Sequence, residues 1–316
     1  MGKLTLGDKE AIRKAVARGE SKSKLAEKYG VHRTSIRDVA KARLKETKPF
    51  EVTRRQWFEA DNDVVFDDGR KLVLRKRPAK VLCISCTQSP FHARDAIPFI
   101  ASVIAERQPD AVILQGDIPD IAWAKYPDIN GPSASEEVRK AREFIEQLGR
   151  IIPKAIVLSS NHAEGRVAYM QKMGRVPDEF MRPWHEVYGC PPGWEYRDYV
   201  IMGGILFEHG DGVSKGARTS IREEMIRRFG RPLTVIRGHR HGLFGETIAP
   251  YWETRTRQVR IAYTGCLMDE GQVTYTKSGL WDGVLLINEG AIEPIPMERG
   301  EDGRWTGRIV PYWEVL

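Results

Sequence analysis

The sequence predicts an α/β body preceded by a small all-α, trihelical module, and three observations carry that expectation. Beyond residue 80, short continuous apolar runs alternate with amphipathic stretches of helical spacing, the pattern of buried strands joined by helices. The first fifty residues lack such runs and show helical spacing only. The charge divides at the same place: residues 1–50 carry 14 Lys/Arg against 6 Asp/Glu, and residues 51–316 carry 36 against 37. A basic segment attached to a neutral body suggests a nucleic-acid-binding element.

The 316 residues, 41% hydrophobic and 29% charged, suffice for one large domain plus a small one. No stretch approaches the roughly 18–20 apolar residues that span a bilayer. The start, MGKLTLGDKEAIRK, lacks the apolar centre of a secretory signal. Together these predict a soluble, cytoplasmic protein. The 4 cysteines are too few for a disulfide scaffold. Cys83 and Cys86 form a CxxC, but no second CxxC exists to complete a zinc site, and Cys83 reads as a small residue of a buried strand.

In the basic segment, the spacing predicts a first helix over 7–19 with Ile12, Ala15 and Val16 on one face. Gly19 ends it, and Ser21 or Ser23 caps a second helix with Leu25, Ala26 and Tyr29 inward. Gly30 makes the turn, Val31 plugs the core, and a third helix runs from about Arg33 to Leu44 with Ile36, Val39 and Ala40 inward. LAEKYGVHRTSIRDVAK resembles the resolvase-type helix-turn-helix. The resemblance implies that Arg33, Thr34, Ser35 and Arg37 open a recognition helix that reaches bases or phosphates of DNA. A bundle that docks on another protein is the alternative; the basic excess and the Gly-Val turn favour DNA. The module spans 1–47.

Residues 48–79 read as a linker. Helical periodicity stops at Pro49, and VVFDDGRKLVLRKR gives two alternating runs about Asp68-Gly69, the signature of a β-hairpin. Its basic end, Arg70 to Arg77, is either a phosphate contact or a solvated strand edge; the second is the commoner use.

From residue 80, strands are expected at KVLCISCTQ, AVILQGDIPD, KAIVLSSNH, GILFEHGD and LTVIRGHRHG, and again at 258–264, 282–287 and 308–315. Helices are expected over 95–107, 135–149 and about 217–229. The first-named strands end in polar residues, at the sheet edge where ligands bind in α/β folds. Asp117, Asn161, His209 and His239 are the conspicuous endings. One strand-end His is ordinarily a satisfied polar residue; several on one sheet edge point to a divalent metal. Imidazole nitrogen with carboxylate and amide oxygen suits Mn, Fe or Zn. Aromatics at 121–134 (Trp123, Tyr126) and 183–195 (Trp184, Trp194) either stack on bases or pack onto the scaffold, and packing is the expectation.

In this order, GDIPD, SNHAE, HGD and GHRH resemble the calcineurin-like metallophosphoesterases, over residues 80–245. The resemblance implies a four-layer α/β/β/α metallophosphoesterase sandwich over 80–316, behind the small all-α helix-turn-helix domain. It also implies hydrolysis of phosphate esters at a two-metal centre. Asp117 would bridge the ions, Asn161, His209 and His239 would complete one shell, and His241 would serve the other. His162 would stand beside the scissile phosphate, stabilising charge or protonating the leaving oxygen. Glu164 and Asp120 are candidates to orient the histidines, with plain solvation an equal alternative.

The pattern departs from the family at its first motif, normally Asp-x-His. Here Cys86-Thr87-Gln88 stands in that place, and His92 lies too far along to substitute. A thiolate and an amide oxygen remain possible ligands. Three states of the site are open: two metals with Cys86 and Gln88 as ligands; one metal on Asp117, Asn161, His209 and His239; or a metal without catalysis. The leading expectation is a DNA-associated, metal-dependent phosphoesterase acting on a nucleic-acid phosphodiester. The alternatives are a DNA-binding regulatory or structural protein with an impaired phosphoesterase fold, and a small-nucleotide phosphohydrolase. No membrane partner is expected, and the sequence sets no oligomeric state.

Overall fold

The computed structural model describes residues 12, 15–16, 20–32, 34–36, 64–124, 131–178, 181–211, 221–249, 259–272 and 279–307. The chain divides into two compact units, Met1–Phe50 and Glu51–Leu316.

In the first unit, Ile12, Ala15, Leu25, Ala26 and Ile36 are buried together, with Val16, Tyr29 and Val31 packed against them. This is the apolar set that helical spacing selects. Helix α1, Lys22–Lys28, is followed by Gly30 at φ +62°, and Val31 N–H returns to the Ala26 carbonyl at 3.0 Å. A left-handed residue at that position ends the helix and swings the chain toward the next one. Residues 34–36 are helical, with Ser35 N–H on the His32 carbonyl at 2.8 Å. Val39 and Ala40 lie outside the described residues.

Among the described residues, the second unit begins with β1 (Val64–Asp67) and β2 (Lys71–Leu74), an antiparallel hairpin. Asp67 and Asp68 carboxylates hold the turn by accepting from Gly69, Arg70 and Lys71 N–H groups. Then come β3 (Lys80–Ile84), α2 (Ala96–Arg107), β4 (Ala111–Leu114), α3 (Ala134–Ile151), β5 (Ala155–Leu158), α4 (Arg166–Gly174), α5 (Trp184–Val187) and β6 (Trp194–Arg197). They are followed by β7 (Tyr199–Met202), β8 (Ile205–Glu208), α6 (Ile221–Phe229), β9 (Thr234–Arg237), β10 (Phe244–Ala249), β11 (Val259–Thr264), β12 (Gly283–Asn288) and β13 (Ala291–Pro296).

The strands form two sheets, a seven-stranded one in the order β1-β2-β7-β8-β9-β11-β10 and a six-stranded one in the order β13-β12-β3-β4-β5-β6. Strands β3, β4, β5 and β6 run parallel in the six-stranded sheet, and β8 and β9 run parallel in the seven-stranded one. The polar strand ends therefore come from two facing sheets and not from the single sheet edge that the sequence suggested. The unbroken apolar runs follow from burial on both faces. In β3, Leu82 and Ile84 meet α2 and α3 through Phe99, Ile100, Phe144 and Leu148, while Val81 and Cys83 face the other sheet. In β8, Phe207 points between the sheets and Leu206 packs with Met225 of α6. The result is four layers, α/β/β/α.

One further reading of the sequence changes here. The hairpin read as part of a linker belongs to the seven-stranded sheet, because β2 pairs in parallel with β7 from Lys71↔Tyr199 to Leu74↔Met202. Its alternation was visible, but its long-range partner was not. The basic end is put to local use: Arg70 pairs with Asp198 at 2.9 Å, and Arg77 donates to the Pro78 and Ala79 carbonyls. The strand expected over 308–315 lies outside the described residues.

Candidate metal centre

The site is assembled where β3, β4, β5, β8 and β9 end. Cys86 (φ 52°), Gln88 (φ 52°), Asp117 (φ 54°) and His239 (φ 62°) all adopt left-handed backbone conformations. For residues with a Cβ such conformations cost on the order of 1–3 kcal/mol each and persist only where the surroundings impose them. The imposing contacts continue the β3–β4 pairing past the strands: Cys86 N–H to Gly116 O at 3.1 Å, Gln88 N–H to Asp117 O at 3.0 Å, and Ser89 N–H to Ile118 O at 2.8 Å. Asp117 N–H donates to Ser160 Oγ at 3.0 Å, tying β4 to β5.

Two glycines let the strand ends close on one another. A Cβ on Gly116, which has φ +86°, would lie 2.6 Å from Ser160 Cβ and 2.8 Å from His209 Nδ1. One on Gly238 would lie 1.9 Å from Ser85 Oγ. The side chains that converge as a result form two groups able to hold a metal ion: Cys86, Asp117 and His241, and Asp117, His209 and His239. Within each group the ligand atoms lie within 4.8 Å of one another, and Asp117 belongs to both.

Each ligand is oriented by what its other atoms touch. His209 donates Nδ1–H to the Gln115 carbonyl at 2.6 Å, which leaves Nε2 to face Asp117 Oδ2 at 3.1 Å and Asn161 Oδ1 at 3.0 Å. Burial disfavours a charged His209, yet the Asp117 carboxylate outweighs it and lifts the imidazole to about 9. Burial pushes the Asp117 carboxyl up, but the imidazoles of His162 and His209 take it well below the usual range. Burial holds His241 down at about 4 and, with the nearby His209 charge, lowers His239; both are neutral at neutral pH, the form able to bind a metal. Cys86 is wholly buried, receives His239 N–H at 3.3 Å and lies 2.9 Å from Ser85 Oγ. Burial and then Asp117 push its thiol well above the ordinary range, a balance that a bound cation reverses. Gln88 gives Nε2–H to Asp117 Oδ2 at 3.2 Å. Gln88 Oε1 and His241 Nε2 are buried without a hydrogen-bond partner among the described residues, as atoms awaiting an ion would be. The donor set therefore fits a divalent metal.

His162 stands beside this group. It sits on a single wide turn, Asn161–Gly165, closed by Gly165 N–H to Ser160 O at 3.2 Å. Such turns recur at functional positions. Its backbone N–H donates to Asp117 Oδ1 at 3.2 Å, its Nδ1 meets Asp120 Oδ1 at 2.6 Å, and its Nε2 lies 3.8 Å from Asp117 Oδ2. Arg166, buried on the first turn of α4, donates Nη2–H to His162 Nε2 at 3.3 Å and Nη1–H to the Asp120 carbonyl at 2.6 Å. Arg166 was not anticipated; its i+4 offset from His162 is the one sequence signal available, and it presupposes a continuous helical turn there.

The structure brings Cys86, Gln88, Asp117, Asn161, His162, His209, His239 and His241 together. It separates Glu164 from the histidines: that carboxylate accepts from Ser160 N–H at 2.7 Å and Trp184 Nε1–H at 2.9 Å. Trp184 and Trp194 are buried, as the packing alternative expects; Tyr126 lies outside the described residues. His92 packs on Phe144 in a tilted arrangement, with ring centroids 4.0 Å apart, and belongs to neither ligand group. In the first unit, Thr34 is exposed and its Oγ1 meets His32 Nδ1 at 2.9 Å, with Ser35 beside it, while Arg33 and Arg37 lie outside the described residues.

An ion network that the sequence did not reveal locks two of the strand ends. Arg237 contacts Glu208 at 2.5 Å and Glu224 at 2.9 Å, and Arg228 contacts Glu208 at 2.6 Å, joining β9, β8 and α6. Beside it a cavity of about 290 Å3 reaches His209 and Asp211. A larger cavity of about 570 Å3, bounded by Arg70, Arg182, His185 and Tyr196, touches none of the metal-group side chains and adjoins the first only through Ser159 and Asp198. No described helix is long and apolar enough to cross a membrane.

Residues 2–45 match the family described as the CENP-B N-terminal DNA-binding domain, where the sequence resemblance had pointed to a resolvase-type module; both are DNA-binding families. No curated protein sequence matches the chain. Among solved structures, it is similar to Yfce, a phosphoesterase from E. coli, at 9% identity over 69% of this chain and 100% of that one, with a TM-score of 0.34. It is similar to vacuolar protein sorting 29 from Cryptosporidium parvum at 15% identity over 69% and 96%, with a TM-score of 0.34. It is also similar to the nuclease MPE of Pseudomonas putida at 12% identity over 72% and 88%, with a TM-score of 0.28. The architecture assigned to the body stands on its own strand order and layers, and the family match on the first unit alone.

Proposed function

We propose that the chain is a DNA-associated, metal-dependent phosphoesterase that hydrolyses a nucleic-acid phosphodiester. One observation carries the reading: two metal-holding groups share the single carboxylate of Asp117. Cys86, Gln88 and His241 would hold one ion, and Asn161, His209 and His239 the other. Thiolate and imidazole together favour Mn, Fe or Zn over Mg or Ca. When bound, two such ions neutralise phosphoryl charge and lower the pKa of water.

The chain's own groups supply the rest. Asp117 brings the one carboxylate that both groups share, and Asn161 brings a neutral oxygen that leaves net positive charge for the phosphate. Asp120 fixes the His162 ring by its Nδ1, and Arg166 Nη2–H contacts Nε2; a substrate oxygen would take the place of that contact, and Nε2, once protonated, would stabilise charge there or pass the proton on. Arg166 steadies both partners. The helix-turn-helix of residues 1–47, through Arg33, Thr34, Ser35 and Arg37, would bring the body of residues 80–316 and its flanking hairpin to DNA.

Asp117→Asn and His162→Ala are each expected to lower metal-dependent diesterase kcat by at least about 100-fold. If both retain the wild-type rate with Mn, Zn or Fe, the mechanism is wrong. A second reading, a DNA-binding protein with an impaired centre, draws support from the deeply buried Cys86 thiol. About two bound equivalents of metal by elemental analysis favour the enzyme; one or none favours the second reading. A large gain in rate for Cys86→Asp with Gln88→His would also favour it.

A further inference from the structure

Trp281 is 55% exposed, an unusual placement for an indole, and it is tied to the candidate centre through its backbone. Its N–H donates to the carbonyl of His241 at 3.0 Å, and its carbonyl accepts from Cys266 N–H at 2.9 Å. Cys266 packs in the same buried cluster as Cys86. Trp281 is therefore held by its backbone between the segment of His241, a member of one ligand group, and the segment of Cys266, which packs with Cys86 of the same group.

Its seat is built from residues without side chains. A Cβ on Gly265, which has φ +73°, would lie 2.4 Å from the Trp281 carbonyl and 3.0 Å from Phe244 Cδ2. One on Gly283 would lie 2.6 Å from Phe244 Cζ. Those two positions let the Phe244 ring approach the backbone closely, and Trp281 lies nearly parallel to it, 17° between planes and 6.2 Å between centroids. A flat, solvent-facing aromatic is thus braced from behind. Arg240, exposed and between the ligands His239 and His241 in the chain, pairs with no carboxylate among the described residues.

We propose that Trp281 and Arg240 form a contact for an unpaired nucleotide beside the scissile phosphodiester, Trp281 taking the base and Arg240 a neighbouring phosphate. This rests on the phosphodiesterase reading and sharpens it. An exposed indole stacks on any base that presents a free π face, and a guanidinium pairs with phosphate. A base inside a duplex has no free face, so the centre takes single-stranded or locally opened nucleic acid, while the helix-turn-helix engages duplex.

The test uses the full chain and fluorescein-labelled octathymidylate, titrated in EDTA so that no turnover occurs. Trp281→Ala and Trp281→Leu are expected to weaken binding by about 10-fold, and Trp281→Phe to retain most of it. Arg240→Ala should weaken binding and flatten its salt dependence. With metal, the ratio of kcat/KM on a single-stranded oligonucleotide to that on methyl p-nitrophenyl phosphate should fall by a similar factor in Trp281→Ala. Unchanged single-strand binding in both the Ala and Leu variants overturns the proposal. So does an equal loss on blunt duplex, since the ring would then serve no unpaired base. If the wild type hydrolyses neither diester, the catalytic reading fails while the binding experiment still decides the contact.

Discussion

Glu137 shows how much of the centre depends on residues that never reach it. It lies buried on α3 and accepts from the N–H groups of Ala122 and Trp123 at 2.8 and 3.2 Å, holding the chain just after Asp120. Burial, then the nearby Asp120 charge, lifts its carboxyl to about 7 from 4.5. A carboxyl raised in the folded state binds protons more readily there than in the unfolded chain. Its favourable contribution is complete below pH 4.5 and is lost as pH rises through about 7. Glu137→Gln, which stays neutral, should therefore gain thermal stability relative to wild type across that window, read as a widening difference in Tm. A constant difference would mean that Glu137 does not titrate there. Neither its burial nor its hold on the loop was readable in the sequence, where Glu137 is one of several helical acids.

At the level of elements, the strand ends are held by two devices of different strength. The Arg237–Glu208–Glu224 network is nearly buried, and removing one partner of such a network leaves charge stranded in low dielectric. Glu208→Ala should destabilise the body by about 3–5 kcal/mol in denaturant titration, against well under 1 kcal/mol for Glu143→Ala at the exposed α3 pair with Arg139. The second device is the absence of a side chain at Gly238. Gly238→Ala places a carbon against Ser85 Oγ and should part β9 from β3, separating His239 N–H from Cys86. Bound metal should then fall well below wild type while the far-ultraviolet dichroism keeps its α/β shape. Full metal content in that variant would show that the contact relaxes freely. The glycine was visible in the GHRH motif, but the sequence did not show that it makes room for the chain at Ser85.

Across the whole molecule, net charge and the groups able to hold a metal fall in different units. The basic excess belongs to the first fifty residues, and the metal-holding groups belong to the second unit. Arg33→Ala with Arg37→Ala should weaken duplex DNA binding by roughly 10-fold or more at low salt, each lost phosphate contact also lowering the salt slope by about one. The same variant should hydrolyse methyl p-nitrophenyl phosphate at the wild-type rate. A parallel loss of both would show that the units act as one. Legibility differed between the units for a physical reason. The helical module has short-range periodicity, so Ile12, Leu25, Ala26 and Ile36 could be chosen by spacing alone.

By itself the sequence determined the alternation of strand and helix, the polar residues at the strand ends, and the division of charge. Those are set by local pattern and composition. The motif resemblance already pointed to a shared Asp117 and left Cys86, Gln88 and Asp120 as open candidates. The tertiary structure alone decided that Cys86 and His241 converge with Asp117, that Gln88 bonds Asp117, that Asp120 rather than Glu164 meets His162, and that Arg166 joins it. It also decided that the 64–74 hairpin completes a sheet and that Trp281 stands exposed beside His241. Each of these depends on segments far apart in the chain being brought within hydrogen-bond reach. Their proximity is fixed by sheet order and by the glycines at the crossing points, and periodicity along the chain carries no record of either.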